Sequence, residues 1–498
     1  MKHKLRINLL ASWGEHGVSM LIGLFLMPFV LNVIGDEQYG LWLFICSIAG
    51  YSGLLNLGFA QTVSRFVAHH QAKDEVDEIN SVVSVVGLIY LGIGVAVMLV
   101  SGALAFLLPY FTSMEGTTVG ELRFVVMTLG ANVALTILGS VFGGVIVGLQ
   151  RMDVERGIRT ICGVVRLGLT VFFLKVEYAL STLALIFFAT TLVENAGYAV
   201  IVKRLIPTLK LSWRFCNKKT LKACSGFSAF SLLENISVKL VDATDTIVIG
   251  AFFGMGYIVP YYVALRLSQF ITQPLQLIGA IVMPRGAELA AEDNSHRIGQ
   301  LLEKGLGVAF LLTTAFFIGA CYFGDSVLRA WVSRDYPESH MLLLVLLGAQ
   351  VIATPVRVLR GVLFGLGHLR VPGILYFVEA IANLVLSLIL VKPLGLLGVA
   401  LGTAIPIVLL EVFVLLPYSL KLLKLPLWPT LSRIVGPHLP PLFVLWTYSL
   451  MVSLLIDPIE GWLSVVGVSA GGGAVLGTAW LVCQHASRRM ILVPDRVA

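Results

Sequence analysis

Charge is scarce in this chain. Asp, Glu, Lys and Arg together supply 13 % of 498 residues, hydrophobic residues supply 57 %, and mean hydropathy is +0.91. Soluble domains carry roughly 25 % charged residues to cover their surface, so an ordinary soluble enzyme is excluded. Cysteine is also sparse: Cys46, Cys162, Cys216, Cys224, Cys321 and Cys483 are scattered, with no CxxC pair. That argues against a disulfide framework or a zinc site and reads as reduced apolar or loop thiols. There is no phosphate loop, no dinucleotide fingerprint, no HExxH and no nucleophile elbow, so neither cofactor nor metal is expected. Long hydrophilic stretches are missing too. The longest, RLIPTLKLSWRFCNKKTLKA from Arg204, leaves no room for a soluble catalytic domain.

What the chain does have is apolar runs of twenty or more residues from end to end. Each is long enough to cross about 30 Å of hydrocarbon as a helix, and the short alternating segments of a transmembrane barrel are not the pattern here. Breakers and hydropathy predict fourteen helices, near 9–34, 39–66, 79–107, 120–149, 158–175, 179–203, 226–253, 258–284, 299–323, 340–366, 371–391, 395–420, 433–456 and 461–484. The basic, then apolar start MKHKLRINLLASWGEHG reads as a retained first helix, because no small-residue cleavage site ends a short apolar core. An even number of spans puts both termini on one side. With that side cytoplasmic, twenty-five Lys and Arg fall inside, five outside and five within spans. The bias predicts cytoplasmic termini and accounts for the +7 net charge without a nucleic-acid partner.

The chain repeats internally. GVIVGLQRMDV from Gly144 aligns without a gap on GVLFGLGHLRV from Gly361, 217 residues later. Upstream, GEHGVS at Gly14 falls on LENISV at Leu233, and the VIG ending at Gly35 falls on the FFG ending at Gly254, at an offset of 219. Helices 1–6 therefore repeat as helices 7–12. Six being even, the two halves run in the same direction, an arrangement that alternating-access transporters use. The expected fold class is all-α and polytopic, with about 14 transmembrane helices as two parallel six-helix bundles plus two C-terminal helices. The expected divisions are 1–205, an N-terminal lobe; 206–225, a cytoplasmic linker; 226–422, a C-terminal lobe; and 423–498, two added helices with a cytoplasmic tail.

Specific motifs then point to a family. LMPFVLNVIGDEQYGLWLFICSIAGYSGLLNLGFAQTVSRFVA, with Pro28, Gly35, Tyr39-Gly40-Leu41-Trp42, Tyr51, Leu57-Gly58 and Arg65, resembles the opening of the polysaccharide flippases of the multidrug/oligosaccharidyl-lipid/polysaccharide exporter superfamily. DTIVIGAFFGMGYIVPYYVALRLSQFITQPLQLIGAIVMP, with Asp245, Gly250, Gly254, Tyr262, Ala264, Arg266, Pro274 and Pro284, resembles the same family's seventh and eighth helices. Asn56 departs from the pattern, since many relatives carry an aspartate before Leu-Gly, and ion coupling through that position is put in doubt. Fourteen helices in place of twelve resemble the lipid-linked precursor flippases of peptidoglycan type. There, the resemblance implies, the extra pair helps hold a long lipid tail.

The charges inside the spans are the candidate functional groups, because ionisable residues in lipid are costly and face a partner or a water-filled cavity. In the seventh helix, Glu234, Asp242 and Asp245 fall near one face, and Lys239 can pair with Asp242 at i, i+3. The segment is either a salt bridge that fixes packing or one wall of a hydrated cavity. The repeat sets Glu15-His16 in the register of Glu234-Asn235, so Glu15, His16 and Asp245 are candidates for ion coupling. The second half also carries Arg266, Arg357, Arg360, Glu379 and Glu411, the first only Arg166 and Glu194. Arg357 and Arg360 present two guanidinium forks on one helical face, and such forks match phosphate oxygens bidentately. Snorkelling to the cytoplasmic interface is the alternative for both.

Taken together, the sequence predicts a non-enzymatic flippase of the bacterial inner membrane. It would move a polyprenyl-diphosphate oligosaccharide from the inner to the outer leaflet by alternating access, for surface polysaccharides such as lipopolysaccharide or exopolysaccharide. The substrate set is Lys239, Arg266, Arg357, Arg360, Asp242 and Glu234. Membrane lipids surround it, and polysaccharide glycosyltransferases or a polymerase are the candidate protein partners. A cation-coupled drug exporter of the same superfamily is the first rival. A membrane-embedded glycan polymerase or ligase is the second, disfavoured because the longest outside segment, Gly324 to His340, is short.

Overall fold

The computed structural model describes residues 2–52, 59–110, 118–215, 220, 236–237, 240–241, 243–291, 295–366, 368, 370–456 and 461–491. Glu234, Lys239 and Asp242 of the candidate set lie outside these residues, as do Asn56 and the Asp457–Glu460 connector. All regular structure among the described residues is helical. In chain order the helices are α1 Lys2–Ser52, α2 Phe59–Gln71, α3 Val76–Leu107, α4 Val119–Gly148, α5 Met152–Phe173 and α6 Ala179–Leu205. They continue as α7 Ala243–Phe253, α8 Ile258–Ala291, α9 Ser295–Val332, α10 Pro337–Gly365 and α11 Arg370–Leu410. The last four are α12 Leu416–Leu422, α13 Leu427–Val435, α14 Leu439–Leu455 and α15 Gly461–Ile491. Among the described residues nine helical stretches are long and apolar enough to cross a membrane. Their outer faces stay apolar where no protein covers them: Leu463 is 92 % exposed, Leu455 79 % and Phe172 79 %. Water would not tolerate such a surface and lipid does; the chain is a multi-pass membrane protein.

Two of these stretches are too long to be single spans. α1 has 51 residues, about 77 Å at 1.5 Å per residue, against about 30 Å of hydrocarbon. One residue turns it, Gly35, at φ 81° and ψ 174°, a region that essentially only glycine enters. Arg370–Leu422 covers 53 residues and turns at Gly395, at φ 61° and ψ −140°. Both turns fall at predicted helix boundaries. They also report the repeat in backbone terms. Gly35 and Gly254, paired by the sequence offset, both have positive φ, at 81° and 97°. Gly395 pairs at offset 217 with Tyr178, whose φ is 54°. Tyr178 has ψ 33°, a left-handed basin open to L residues, so a tyrosine suffices in the first half where the second requires glycine.

By its contacts the chain separates into two units, Met1–Val259 and Pro260–Ala498. In the first, Val63 and Val67 of α2, Val83 and Tyr90 of α3, Val145 of α4 and Val202 of α6 form one buried core. α4 can lie this close to α2 because Gly144 has no side chain: a Cβ there would sit 2.7 Å from the Ala60 carbonyl oxygen. The N-terminus of α4 is capped by Thr118, whose hydroxyl accepts from the Glu121 N–H at 3.1 Å. After α6 the basic connector is held against the start of α3. Asn80 Oδ1 accepts from Lys210 N–H at 3.0 Å, Ser84 Oγ from Ser212 N–H at 3.2 Å, and Ser81 Oγ donates to the Phe215 carbonyl at 2.9 Å. In the second unit, Leu302 and Leu306 of α9, Leu359 and Val362 of α10, Leu420 of α12 and Ile434 of α13 form the corresponding core.

One predicted span is broken in two. The thirteenth helix, expected from residue 433, starts earlier as α13 and is interrupted by a tight turn at Gly436–His438 before α14. Pro437, without an N–H to donate, sits in that turn and breaks the ladder.

Candidate functional site

In the second unit the candidate arginines of α10 diverge. Arg357 turns back along its own helix and donates from Nη1 to Gln350 Oε1 at 3.0 Å. It is half-buried and forms no salt bridge among the described residues. Arg360 points to other helices. Its Nη2 donates to Glu411 Oε1 in a short charge-assisted bond and lies 3.8 Å from Glu379 Oε2. The side chains of Glu379 and Glu411 are 3 % and 2 % exposed and that of Arg360 12 %, so the triad sits well out of solvent. The guanidinium rests over the ring of Tyr376, 4.9 Å from its centroid. Glu411 opens a π-helical turn, Glu411–Leu415, between α11 and α12, the kind of irregularity frequent at functional sites. Two buried atoms of the triad, Arg360 Nε and Glu411 Oε2, have no hydrogen-bond partner among the described residues. Arg266 of α8 donates from Nε to Tyr262 Oη at 2.7 Å and from Nη1 to Gln269 Oε1 at 3.2 Å.

The first unit carries a second charged network. Glu15 of α1, 9 % exposed, accepts from Arg156 Nη1 at 2.7 Å. Arg156 Nε also reaches Glu155 Oε2 at 3.4 Å, and Arg159 bonds Glu155 one turn back. Arg159 Nε lies 3.9 Å from Glu194 Oε1 on α6, which accepts from Tyr198 Oη at 2.9 Å. The Glu15 carboxylate thus holds α1 to α5 and cannot serve an ion without breaking that pair. His16, the next residue, is half-buried. Asp245 of α7 is 2 % exposed, and its neighbour Thr244 shares a 2.5 Å hydrogen bond with Tyr51 in the second limb of α1. Arg166 makes no salt bridge among the described residues: its Nε donates to Thr190 Oγ1 at 2.9 Å and its guanidinium lies 4.5 Å from the Phe187 ring centroid.

The two networks are related by the repeat. Glu194 and Glu411 are 217 residues apart, so they occupy one position of the repeated helix. The arginines that meet them differ. Glu194 faces Arg159 of α5, whose counterpart is Tyr376, the ring under Arg360; Glu411 faces Arg360 of α10, whose counterpart is Gly143. Glu379, Glu411 and Glu194 stood out in the sequence only as isolated intramembrane charges. The offset linking Glu194 to Glu411 was the available signal that they belong to sites.

Residues 8–289 match the family described as polysaccharide biosynthesis protein. The chain belongs to that family. It is 22 % identical over 412 residues to a putative O-antigen transporter of Shigella flexneri, covering 80 % of this chain and 94 % of that one. In fold it resembles the lipid II flippase MurJ in an inward closed conformation, at TM-score 0.73, 13 % identity and 98 % and 99 % of the two chains. It also resembles an inward-facing multidrug resistance transporter of the MATE family of the MOP superfamily, at TM-score 0.69, 16 % identity and 82 % and 97 % coverage. The fold of this member of the polysaccharide biosynthesis family is therefore the all-helical one that those two transporters share.

Proposed function

We propose that this chain flips a lipid-linked oligosaccharide, a polyprenyl-diphosphate sugar, from the cytoplasmic to the outer leaflet of the bacterial inner membrane by alternating access, without catalysing a covalent step. The observation that carries the reading is Arg357: a guanidinium within an apolar helix whose single bond among the described residues goes to a neutral amide oxygen. Glu379 and Glu411 offset its charge only through space, so its fork keeps donors for an anion, and a diphosphate matches that fork. Arg360 stands one turn away, already charge-bonded, as the second donor. Family membership and relatives named as an O-antigen transporter and a lipid II flippase support the substrate class. On this reading the chain works as two six-helix lobes, 1–205 and 226–422, joined by the basic linker, with cytoplasmic termini. Lys239, Arg266, Asp242 and Glu234 are the further residues proposed to bind substrate, and His16 and Asp245 those proposed for ion coupling. Glycosyltransferases and the polymerase that supply and consume such substrates are the protein partners.

The test is complementation of a strain lacking its own flippase, with a membrane-fraction blot for protein level. Arg357→Lys should impair export, since a point charge cannot reproduce the bidentate contact. Arg357→Gln should weaken it further, by roughly 1.5–3 kcal/mol of lost charge-assisted bonding. Full complementation by Arg357→Gln combined with Arg360→Gln would sink the anion reading and favour export of a cationic drug.

A further inference from the structure

Beyond the substrate class, we propose that anion binding is linked to proton uptake: a diphosphate that takes Arg360 strands Glu379 and Glu411, and one of the two carboxylates, Glu379, takes a proton from water in exchange. The inference rests on the anion reading above. It begins with a charge count. One guanidinium nitrogen, Arg360 Nη2, serves two buried carboxylates. The charges that act on Glu379 are those of Glu411, Arg360 and Arg357, and on Glu411 those of Arg360 and Arg357. Tyr376, on α11, contributes its ring face to Arg360. From α12, Lys421 is exposed and Tyr418 packs into the apolar core. From α9, Glu303 is bonded to Arg433. Two carboxylates and two arginines therefore balance, and both arginines are the groups a diphosphate would engage.

Consider what happens when they are engaged. Like-charged carboxylates close together out of water cannot both stay ionised once their cations are neutralised. Glu379 is held the more loosely, at 3.8 Å, so it loses its partner first. A proton from water forms an O–H bond on Glu379, leaving a neutral acid. When the anion leaves, Arg360 returns to the carboxylates and the proton returns to water. The triad is also incompletely satisfied at rest: Arg360 Nε lacks an acceptor and Glu411 Oε2 a donor among the described residues. A fully bonded network would resist rearrangement; this one has a donor and an acceptor in hand.

The experiment is isothermal titration of the purified full chain in detergent with farnesyl diphosphate, in two buffers of different ionisation enthalpy, which yields affinity and protons exchanged together. Wild type should take up close to one proton per ligand more than Glu379→Gln, the ligand's own ionisation cancelling in the difference. Wild-type affinity should rise about tenfold per unit fall in pH across the linked window, opposite in sign to weakening by protonation of the phosphate. Equal proton counts in wild type and variant would overturn the linkage and leave the flippase reading standing. No binding by folded wild type would overturn the anion reading and this linkage with it. Should Glu379→Gln fail to fold, Glu411→Gln and the wild-type pH profile decide: a flat profile refutes the proposal.

Discussion

Glu194 and Glu411 hold the same position in the two repeats, yet each is met by an arginine from a different helix, Arg159 on α5 and Arg360 on α10. The carboxylate is common to both halves and the cation was placed separately in each. A buried acid is tolerated only with a partner, and either neighbouring helix can supply it. In the first half the charges join α1, α5 and α6; in the second they tie α10 to α11 and the turn that follows it.

The Arg360–Glu411 contact makes an energetic prediction. Removing one member of a buried pair leaves the other uncompensated, at a cost of about 3–5 kcal/mol. Arg360→Ala, which strands both Glu379 and Glu411, should therefore lower thermal stability in detergent strongly. Arg360→Met combined with Glu379→Gln and Glu411→Gln removes all three charges and should recover most of the loss while export stays defective. Recovered export in that triple variant would reduce the triad to packing.

The turns predict an asymmetry between the halves. Gly395→Ala should cost about 1–3 kcal/mol, because its φ and ψ lie in a region forbidden to side chains. Tyr178→Gly, at the equivalent turn, should leave thermal stability within about 1 kcal/mol, since the left-handed basin suits glycine and the tyrosine ring is 72 % exposed. A Gly395→Ala protein that melts with wild type would contradict the assignment of this turn.

Close approach of α4 to α2 predicts the outcome at Gly144. A Cβ there meets the Ala60 carbonyl at 2.7 Å and Val63 Cβ at 3.2 Å, and backbone cannot swing aside. Gly144→Val should cost about 1–3 kcal/mol by overpacking, read as a lowered melting temperature. Gly17→Ala, with open space around it, is the control that should behave as wild type.

Orientation can be read with single cysteines in a cysteine-free background. Glu37 and Lys210 are both exposed. With cytoplasmic termini, an impermeant thiol reagent should label Glu37→Cys in intact cells and Lys210→Cys only after lysis. The opposite pattern would reverse the topology and the proposed direction of transport.

Helix positions were legible because length and apolarity set them and glycines punctuate them: the turns at Gly35 and Gly395 lie where the apolar pattern breaks. Helix ends were less so. α9 was expected over 299–323 and runs Ser295–Val332, because helical hydrogen bonding continues past the apolar stretch into polar residues that hydropathy discounts. The α13–α14 break at Pro437 was hidden inside an apolar run. For the site, Arg357 and Arg360 were recognisable as costly charges, but i, i+3 spacing suggested common duty. Their separation depends on Glu411, 51 residues beyond Arg360, and no local periodicity connects α10 with that turn.

The one-residue joint at Gly35 has a practical corollary. A protease must thread several extended residues through its cleft, and an antibody wants a protruding loop. Two spans meeting at a single glycine present neither. An epitope tag inserted there would report damage to the joint instead of which side it faces, so point substitution is the safer probe.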